Sequence, residues 1–267
     1  MPPIKILITG VYGLIGNLVY AHLARFPDAY AVYGTARRRQ HSDRLSENQV
    51  CILPEDHFFL ADLTDFERMK SIVQGMDVVV HMAADPSGGH GWESVLQNNV
   101  IGAYHVFEAC RLGGVKRVIF ASSVQVSFGY GMDEPFGAIL KGQIGDIPAD
   151  IPIITHDMPN RPMNLYAASK VWGEALAHLY AYRHGMSCLV LRIGWVVAED
   201  RPRGHMGSDW CSWRDINQIV QRCIDAPESL KFDIFYGVSD NRYRFLDISH
   251  AREVLGYIPQ DRAEEKR

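Results

Sequence analysis

Ile4-Lys-Ile-Leu-Ile-Thr9 runs directly into Gly10-Val-Tyr-Gly13-Leu-Ile-Gly16, and Asn17–Phe26 follows with Leu18, Val19, Leu23 and Phe26 at roughly helical spacing. The first six residues are a short β-prone run, as expected of a buried strand. Three glycines spaced three apart mean little alone in a chain with 23 Gly. A strand before them and a helix after them give each one a task. The first permits a tight turn, the second lets a pyrophosphate approach the backbone, and the third lets helix and strand pack closely. The N–H groups and dipole at the helix start then hold phosphates. The unit predicts a dinucleotide site at the head of an α/β fold.

Outward from this unit, strands and helices alternate. Ala31–Ala36 reads as a second strand, Phe58–Leu60 as a third, Asp77–His81 as a fourth, Lys116–Phe120 as a fifth, Ser187–Ile193 as a sixth and Asp233–Tyr236 as the last. Helical spacing marks about 65–73, 92–112, 166–183, 213–226 and 249–255. Such alternation implies a Rossmann-type, doubly wound parallel sheet. The chain reads as a single domain, with a dinucleotide-binding core over about 1–193 and a small C-terminal substrate-side region over about 194–267. Ligands lie beyond the carboxyl ends of such strands, and Gly10, Asp62, His81, Ser123 and Arg192 fall there. Residues 131–160 are rich in Gly and Pro and weakly periodic, so they read as a long loop in a good place for a lid.

The helix after that loop carries Met163-Asn-Leu-Tyr166-Ala-Ala-Ser-Lys170-Val-Trp-Gly173. Tyr166 and Lys170 lie one turn apart on one face. A free phenol titrates near pH 10 and is a poor base at neutral pH. A neighbouring ammonium favours the phenolate, which makes the pair an acid/base suited to a sugar or alcohol hydroxyl. Taken alone, the pair also reads as a core aromatic with a solvated lysine one turn on. Of the seven lysines, only Lys170 has a tyrosine four positions before it.

The second strand ends Gly34-Thr35-Ala36-Arg37, without an acid. An acid at this place suits the ribose 2′-hydroxyl of NAD, whereas an arginine suits the 2′-phosphate of NADP. Arg37 reads either as a solvated loop arginine or as that phosphate ligand, with Arg38 or Arg39 adding a weaker, screened contribution. The expectation is NADP bound at least as well as NAD.

Apolar residues make up 47% of the chain and charged residues 22%, enough to bury a core. A net charge of −4 gives no sign of a nucleic-acid or anionic-membrane partner. The five cysteines are odd in number and lack Cys-x-x-Cys spacing. That argues against a disulfide framework or a metal site and fits a reducing cytoplasm. No apolar run reaches membrane-spanning length, and the one before Gly10 is too short for a signal-peptide core.

The marks Gly10-x-x-Gly13-x-x-Gly16, Asp62-Leu63, His81-Met-Ala-Ala84, Asn99-Val-Ile-Gly102, Ser122-Ser123 and Tyr166-Ala-Ala-Ser-Lys170 together resemble the extended short-chain dehydrogenase/reductase (NAD-dependent epimerase/dehydratase) family. Gly91–Tyr104, Asp209–Asp215, Tyr236–Asn241 and Leu255–Asp261 narrow the likeness to uronate dehydrogenases. The resemblance implies Tyr166 as acid/base, Lys170 as its tuner and ribose ligand, and Ser123 as the donor to the reacting oxygen. It implies a cofactor held at the turn by Gly10, Tyr12, Gly13, Leu14, Ile15 and Gly16. Further along, the cofactor would meet Arg37, Asp62, Leu63, Met82, Ala83 and Ala84, then Asn99, Ser122 and Ile193. A carbohydrate-like substrate would meet Ser87, Ser123, Gln125 and Tyr166, with Arg192 on a sugar-acid carboxylate. By its residues alone, Arg192 reads equally as a structural arginine. Relatives of this kind are often homo-oligomers, but no stretch here declares an interface.

Three departures touch substrate-facing places. Val124-Gln125 stand where uronate dehydrogenases commonly have Asn-His, Trp195 replaces one of a small pair, and the loop 131–160 is longer. The redox machinery is intact, so an NAD(P)-dependent dehydrogenase of a sugar, sugar acid or polyol is the leading expectation. A nucleotide-sugar epimerase is the first alternative, opposed by the roughly 75 residues that follow Arg192. A non-catalytic NAD(P)-binding sensor is the second, opposed by the retained Ser123, Tyr166 and Lys170.

Overall fold

Seven strands form one parallel sheet in the computed structural model, which describes residues 2–45, 49–86, 91–143, 150–202 and 207–266. They are β1 (Ile4–Thr9), β2 (Tyr30–Ala36), β3 (Phe58–Leu60), β4 (Val78–His81), β5 (Arg117–Ser123), β6 (Ser187–Ile193) and β7 (Phe232–Gly237). Their order is β3-β2-β1-β4-β5-β6-β7, with every neighbouring pair parallel. The order reverses between β1 and β4, and such a switch point opens a crevice at the carboxyl ends of the strands.

Side chains alternate across each strand, so both faces need cover. Ile6, Ile8, Val80 and Ile119 face one layer, where Leu18, Val19 and Leu23 of α1 (Leu14–Leu23) meet Ile219, Val220 and Cys223 of the helix at Trp213–Asp225. Leu7, Val79, Val118 and Phe120 face the other. There they meet α2 (Phe66–Ile72) and two longer helices, Gly102–Gly113 and Leu165–His184.

The segment read as one helix over 92–112 is three pieces. These are α3 (Gly91–Val95), a π-helical turn (Leu96–Ile101) and α4 (Gly102–Gly113). The stretch 131–160 is more ordered than a loop reading implies. It holds α5 (Phe136–Leu140), and Phe136 and Ile139 are buried in the core. Ile154 is fully buried and hydrogen-bonded in register with Phe245 and Asp247. No described residue of 131–160 lines the cleft where a lid was expected; Phe136–Ile139 and Ile154 pack inward, and most of the described residues around them are exposed or half-buried.

Next comes α6 (Leu165–His184), started by Asn164, whose side-chain oxygen accepts from the Ala167 N–H at 2.8 Å. It ends at Gly185, in the left-handed conformation. The C-terminal residues are built into the same sheet through β7, with α7 (Trp213–Asp225) and α8 (Ser249–Leu255). Arg117 on β5 donates to the carbonyls of Cys223, Ile224, Ala226 and Pro227, tying the end of α7 to the sheet. No described helix is long and apolar enough to cross a membrane.

Candidate active site

A cleft of about 690 Å³ lies across the carboxyl ends of the strands, within the range of sites that enclose small molecules and cofactors. Arg37 and Asp62 line one end, the glycine turn its middle, and Ser123, Tyr166, Lys170 and Ile193–Val196 the other. The fold thus brings most of the expected site residues into one trough.

The turn is built as its glycines require. Gly10 has φ +68°, and a Cβ there would sit 2.8 Å from the Ala83 Cα. A Cβ on Gly16 would sit 2.3 Å from the Gly10 carbonyl oxygen. Gly13 caps α1 without a side-chain hydrogen bond, so no side chain covers the helix start. Tyr12, Leu14 and Ile15 line the cleft beside it. An uncapped helix start at the centre of an elongated trough fits a dinucleotide pyrophosphate. Met82, Ala83, Ala84 and Leu63 continue the wall, and the Ala83 N–H donates to Thr9 Oγ1. Buried His81 shares that hydroxyl at 2.7 Å. Burial and nearby Lys170 bring its imidazole down to about 3, which keeps it neutral.

At the far end, Ser123 Oγ accepts from the Gln125 N–H at 3.2 Å, which caps the 3-10 turn Val124–Met132. Tyr166 lines the cleft with it, and Ser123 favours the charged form of the phenol. Burial pushes that phenol above its ordinary value; nearby Ser123 and the Arg44 charge oppose the rise, and Asp85 adds to it. The Lys170 ammonium lies 5.5 Å from the Tyr166 ring centroid and donates to the Ala121 carbonyl at 2.7 Å. Burial brings it down to about 7. Desolvation therefore moves both groups toward their neutral forms.

The lysine shift has a consequence for stability. Between about pH 7 and pH 10 the unfolded chain keeps this proton and the folded chain releases it. Stability from this group then rises with pH across that window. The unfolding free energy of Lys170→Met relative to wild type should fall as pH climbs from 7 to 10 in urea titrations. A difference independent of pH would show that Lys170 is not shifted.

Three of the expected site residues are held by partners within the protein. Asn99 is buried and does not line the cleft. It accepts from the Asp85 N–H at 2.7 Å and donates to the Asp85 carbonyl and to Ser169 Oγ. It braces the β4 exit against α6 and does not touch the cofactor cleft. The π-helical turn presents Asn98 to the cleft, where Arg37 donates to its Oδ1 at 3.3 Å. Ser122 lines the cleft, but its hydroxyl donates to Glu174 Oε1 at 2.6 Å.

Arg192 changes most. It is 2% exposed and is not among the cleft-lining residues. Its Nε and NH2 donate to the two Glu174 oxygens at 2.9 and 2.8 Å. The remaining donors go to Asn160 Oδ1, the His156 carbonyl and the Tyr236 hydroxyl. All five N–H groups of a guanidinium are then engaged within the protein, leaving none for a substrate carboxylate. Glu174 was missed, although Tyr166, Lys170 and Glu174 recur every fourth residue on one face of α6.

Gln125 lines the cleft, with its oxygen held by the Asn164 side chain at 2.9 Å. Ser87 lies outside the described residues. Arg39 forms an exposed pair with Glu55 at 2.6 Å and does not line the cleft, whereas Arg38 does. Among the described residues, His156, Asp233 and His250 are the one cluster close enough to share an ion. None of them lines the cleft, and the two imidazoles stack 3.9 Å apart at 11°, so their lone pairs do not converge.

The family described as "NAD dependent epimerase/dehydratase family" matches residues 6–218, the glycine turn and the Tyr166–Lys170 helix included. The chain belongs to this family. Two curated relatives match over nearly the whole chain. The NAD-dependent glucose-6-phosphate dehydrogenase of Haloferax volcanii is 31% identical, covering 97% of this chain and 94% of that protein. The uronate dehydrogenase of Pseudomonas putida is also 31% identical, covering 97% and 85%. Among solved structures, a mutant of the Agrobacterium tumefaciens uronate dehydrogenase complexed with NAD superposes with a TM-score of 0.79 at 28% identity. That match covers 98% of this chain and 86% of the other. As an NAD dependent epimerase/dehydratase family member, the chain carries its dinucleotide cleft where the sheet order reverses.

Proposed function

We propose that this chain is an NAD(P)-dependent dehydrogenase that oxidises a free sugar or sugar acid. The observation that carries this reading is the convergence of Ser123, Tyr166 and Lys170 at one end of a cleft whose middle is an uncapped glycine turn. The cofactor, when bound, supplies the hydride acceptor. The chain supplies position and proton transfer. Ser123 donates to the reacting oxygen, and Tyr166 takes up the hydroxyl proton. Lys170, held by the Ala121 carbonyl, stands behind the phenol to stabilise its charged form. Ser123 and Gln125 hold the sugar ring from the β5 side. The names of the relatives, dehydrogenases of a sugar phosphate and of uronates, support the substrate class. The test is reduced-cofactor formation across a panel of uronates, neutral aldoses and sugar phosphates. Turnover of any of them supports the reading. No turnover at high enzyme concentration, with cofactor bound, would reject it.

The same reading extends to cofactor choice. Ala36 ends β2 without an acid, and Arg37 follows it at the cleft. Asp62 nearby accepts from the Thr64 N–H and hydroxyl, and Arg37 helps hold its carboxyl below the usual range. On this reading Arg37 takes the 2′-phosphate, which accepts charge-assisted hydrogen bonds. Such bonds are worth about 1.5–3 kcal/mol, or roughly ten- to a hundredfold in affinity. NADP should bind at least as tightly as NAD, and Arg37→Ala should weaken NADP while leaving NAD nearly unchanged in calorimetric titrations. A wild-type preference for NAD of about tenfold, 1.4 kcal/mol, would overturn this role for Arg37.

A further inference from the structure

With Arg192 closed off inside the protein, a different cation must meet any acidic group of the substrate. Lys170 does not fill the place, because it is 4% exposed and is held by the Ala121 carbonyl. Arg37 lies at the other end of the cleft, beside Asn98 and Asp62, and Arg38 follows it there. Of the arginines and lysines that line the cleft, Arg44 remains.

Arg44 belongs to the Tyr166 end. Its NH2 reaches the Val196 carbonyl at 3.5 Å, in the stretch after β6 that walls this end. Its charge acts on the Tyr166 phenol, opposing the rise that burial causes. A tight turn fixes its backbone. The Ser42 N–H donates to the Tyr12 carbonyl at 2.9 Å, the Arg44 N–H to Ser42 Oγ at 3.2 Å, and the Leu45 N–H to the Ser42 carbonyl at 3.0 Å. Leu45 itself is buried in the core. The arginine next to that anchor is exposed. Among the described residues no carboxylate lies within ion-pair reach of it, neighbouring Asp43 included. The Val196 contact is at the outer limit of a hydrogen bond and involves one of the two terminal nitrogens of the guanidinium. A cation on a fixed base, with donors to spare, thus stands at the chemical end of the cleft.

We propose that Arg44 binds the anionic group of the substrate, the carboxylate of a sugar acid or the phosphate of a sugar phosphate, and so selects acidic sugars over neutral ones. The proposal rests on the dehydrogenase reading of the cleft. In both kinds of sugar the anion lies across the ring from the anomeric carbon, which must meet Tyr166. The planar fork of an arginine offers two parallel N–H donors to either anion. A lysine lacks that fork and replaces it only in part.

The test compares kcat/KM for glucuronate, glucose 6-phosphate and glucose in wild type, Arg44→Gln and Arg44→Lys, with the Kd of NAD and NADP measured by calorimetry. Arg44 is exposed, so neither variant threatens the fold. Arg44→Gln should lower the preference for an acidic sugar over glucose by about ten- to a hundredfold, through KM. Arg44→Lys should be intermediate, and cofactor affinity should stay within a few-fold in both. A loss on glucuronate alone supports the proposal with a carboxylate as the anion, and a loss on glucose 6-phosphate alone supports it with a phosphate. An unchanged preference would overturn it. So would an equal loss on glucose, or a matching loss of cofactor affinity, which would place Arg44 on the dinucleotide. Wild type that oxidises glucose and neither acidic sugar would overturn the proposal and leave the dehydrogenase reading standing. No turnover of any of the three, with cofactor bound, would reject that reading and the proposal with it.

Discussion

Tyr166→Phe is expected to lower kcat by about 10²–10⁴, the usual worth of a positioned acid/base, and to leave cofactor affinity within a few-fold. The substitution removes one oxygen and keeps the ring, so the packing of Tyr166 beside Lys170 is preserved. Ser123 keeps its bond to the Gln125 N–H. The defect then belongs to proton transfer. Oxidation by wild type should quicken as pH rises, because burial holds the phenol above its ordinary value and the charged form accepts the substrate proton. That limb should vanish in Tyr166→Phe. A kcat unchanged under single-turnover conditions would remove Tyr166 from the chemistry.

Glu174→Leu should destabilise the fold by about 3–5 kcal/mol, the cost of leaving a buried charge without its partner. Arg192 and Glu174 are 2% and 4% exposed and share two hydrogen bonds. Asn160 and Ser122 complete the carboxylate's partners. Removal of the acid leaves a desolvated guanidinium under the sheet end that carries Ser122 and Ser123. The double variant Glu174→Leu/Arg192→Met should recover most of the loss, since apolar replacement of a whole buried pair is often neutral or better. Urea unfolding of both variants checks this. A change under about 0.5 kcal/mol for Glu174→Leu, the scatter of ordinary surface substitutions, would contradict the assignment of Arg192 to the interior.

The parts of this protein that were legible in the sequence are those governed by local spacing. Ile4–Gly16 announced a strand, a turn and a helix because period and glycine placement are properties of neighbouring residues. Tyr166 and Lys170 announced themselves by helical spacing. Arg192 read equally as a carboxylate ligand and as a structural arginine because the choice depends on partners far along the chain, Asn160 and Tyr236 among them. Glu174 drew no reading, because its partner Arg192 lies 18 residues on and no local spacing points to it. Asn99 was misplaced by the π-helical turn, which gives the cleft to Asn98. No apolar period reveals such a turn. Residues 131–160 seemed loop-like because α5 is only five residues long, too short for a period to show.

The central claim is that Tyr166 assists hydride removal from a free sugar or sugar acid. It is tested most directly with a uronate carrying deuterium at the anomeric carbon, incubated with the protein and NAD or NADP. The expected result is reduced cofactor that carries the label, formed by wild type and lost to background in Tyr166→Phe. Label that stays in the sugar, with no reduced cofactor from this or any neutral aldose or sugar phosphate while cofactor is bound, would contradict the account.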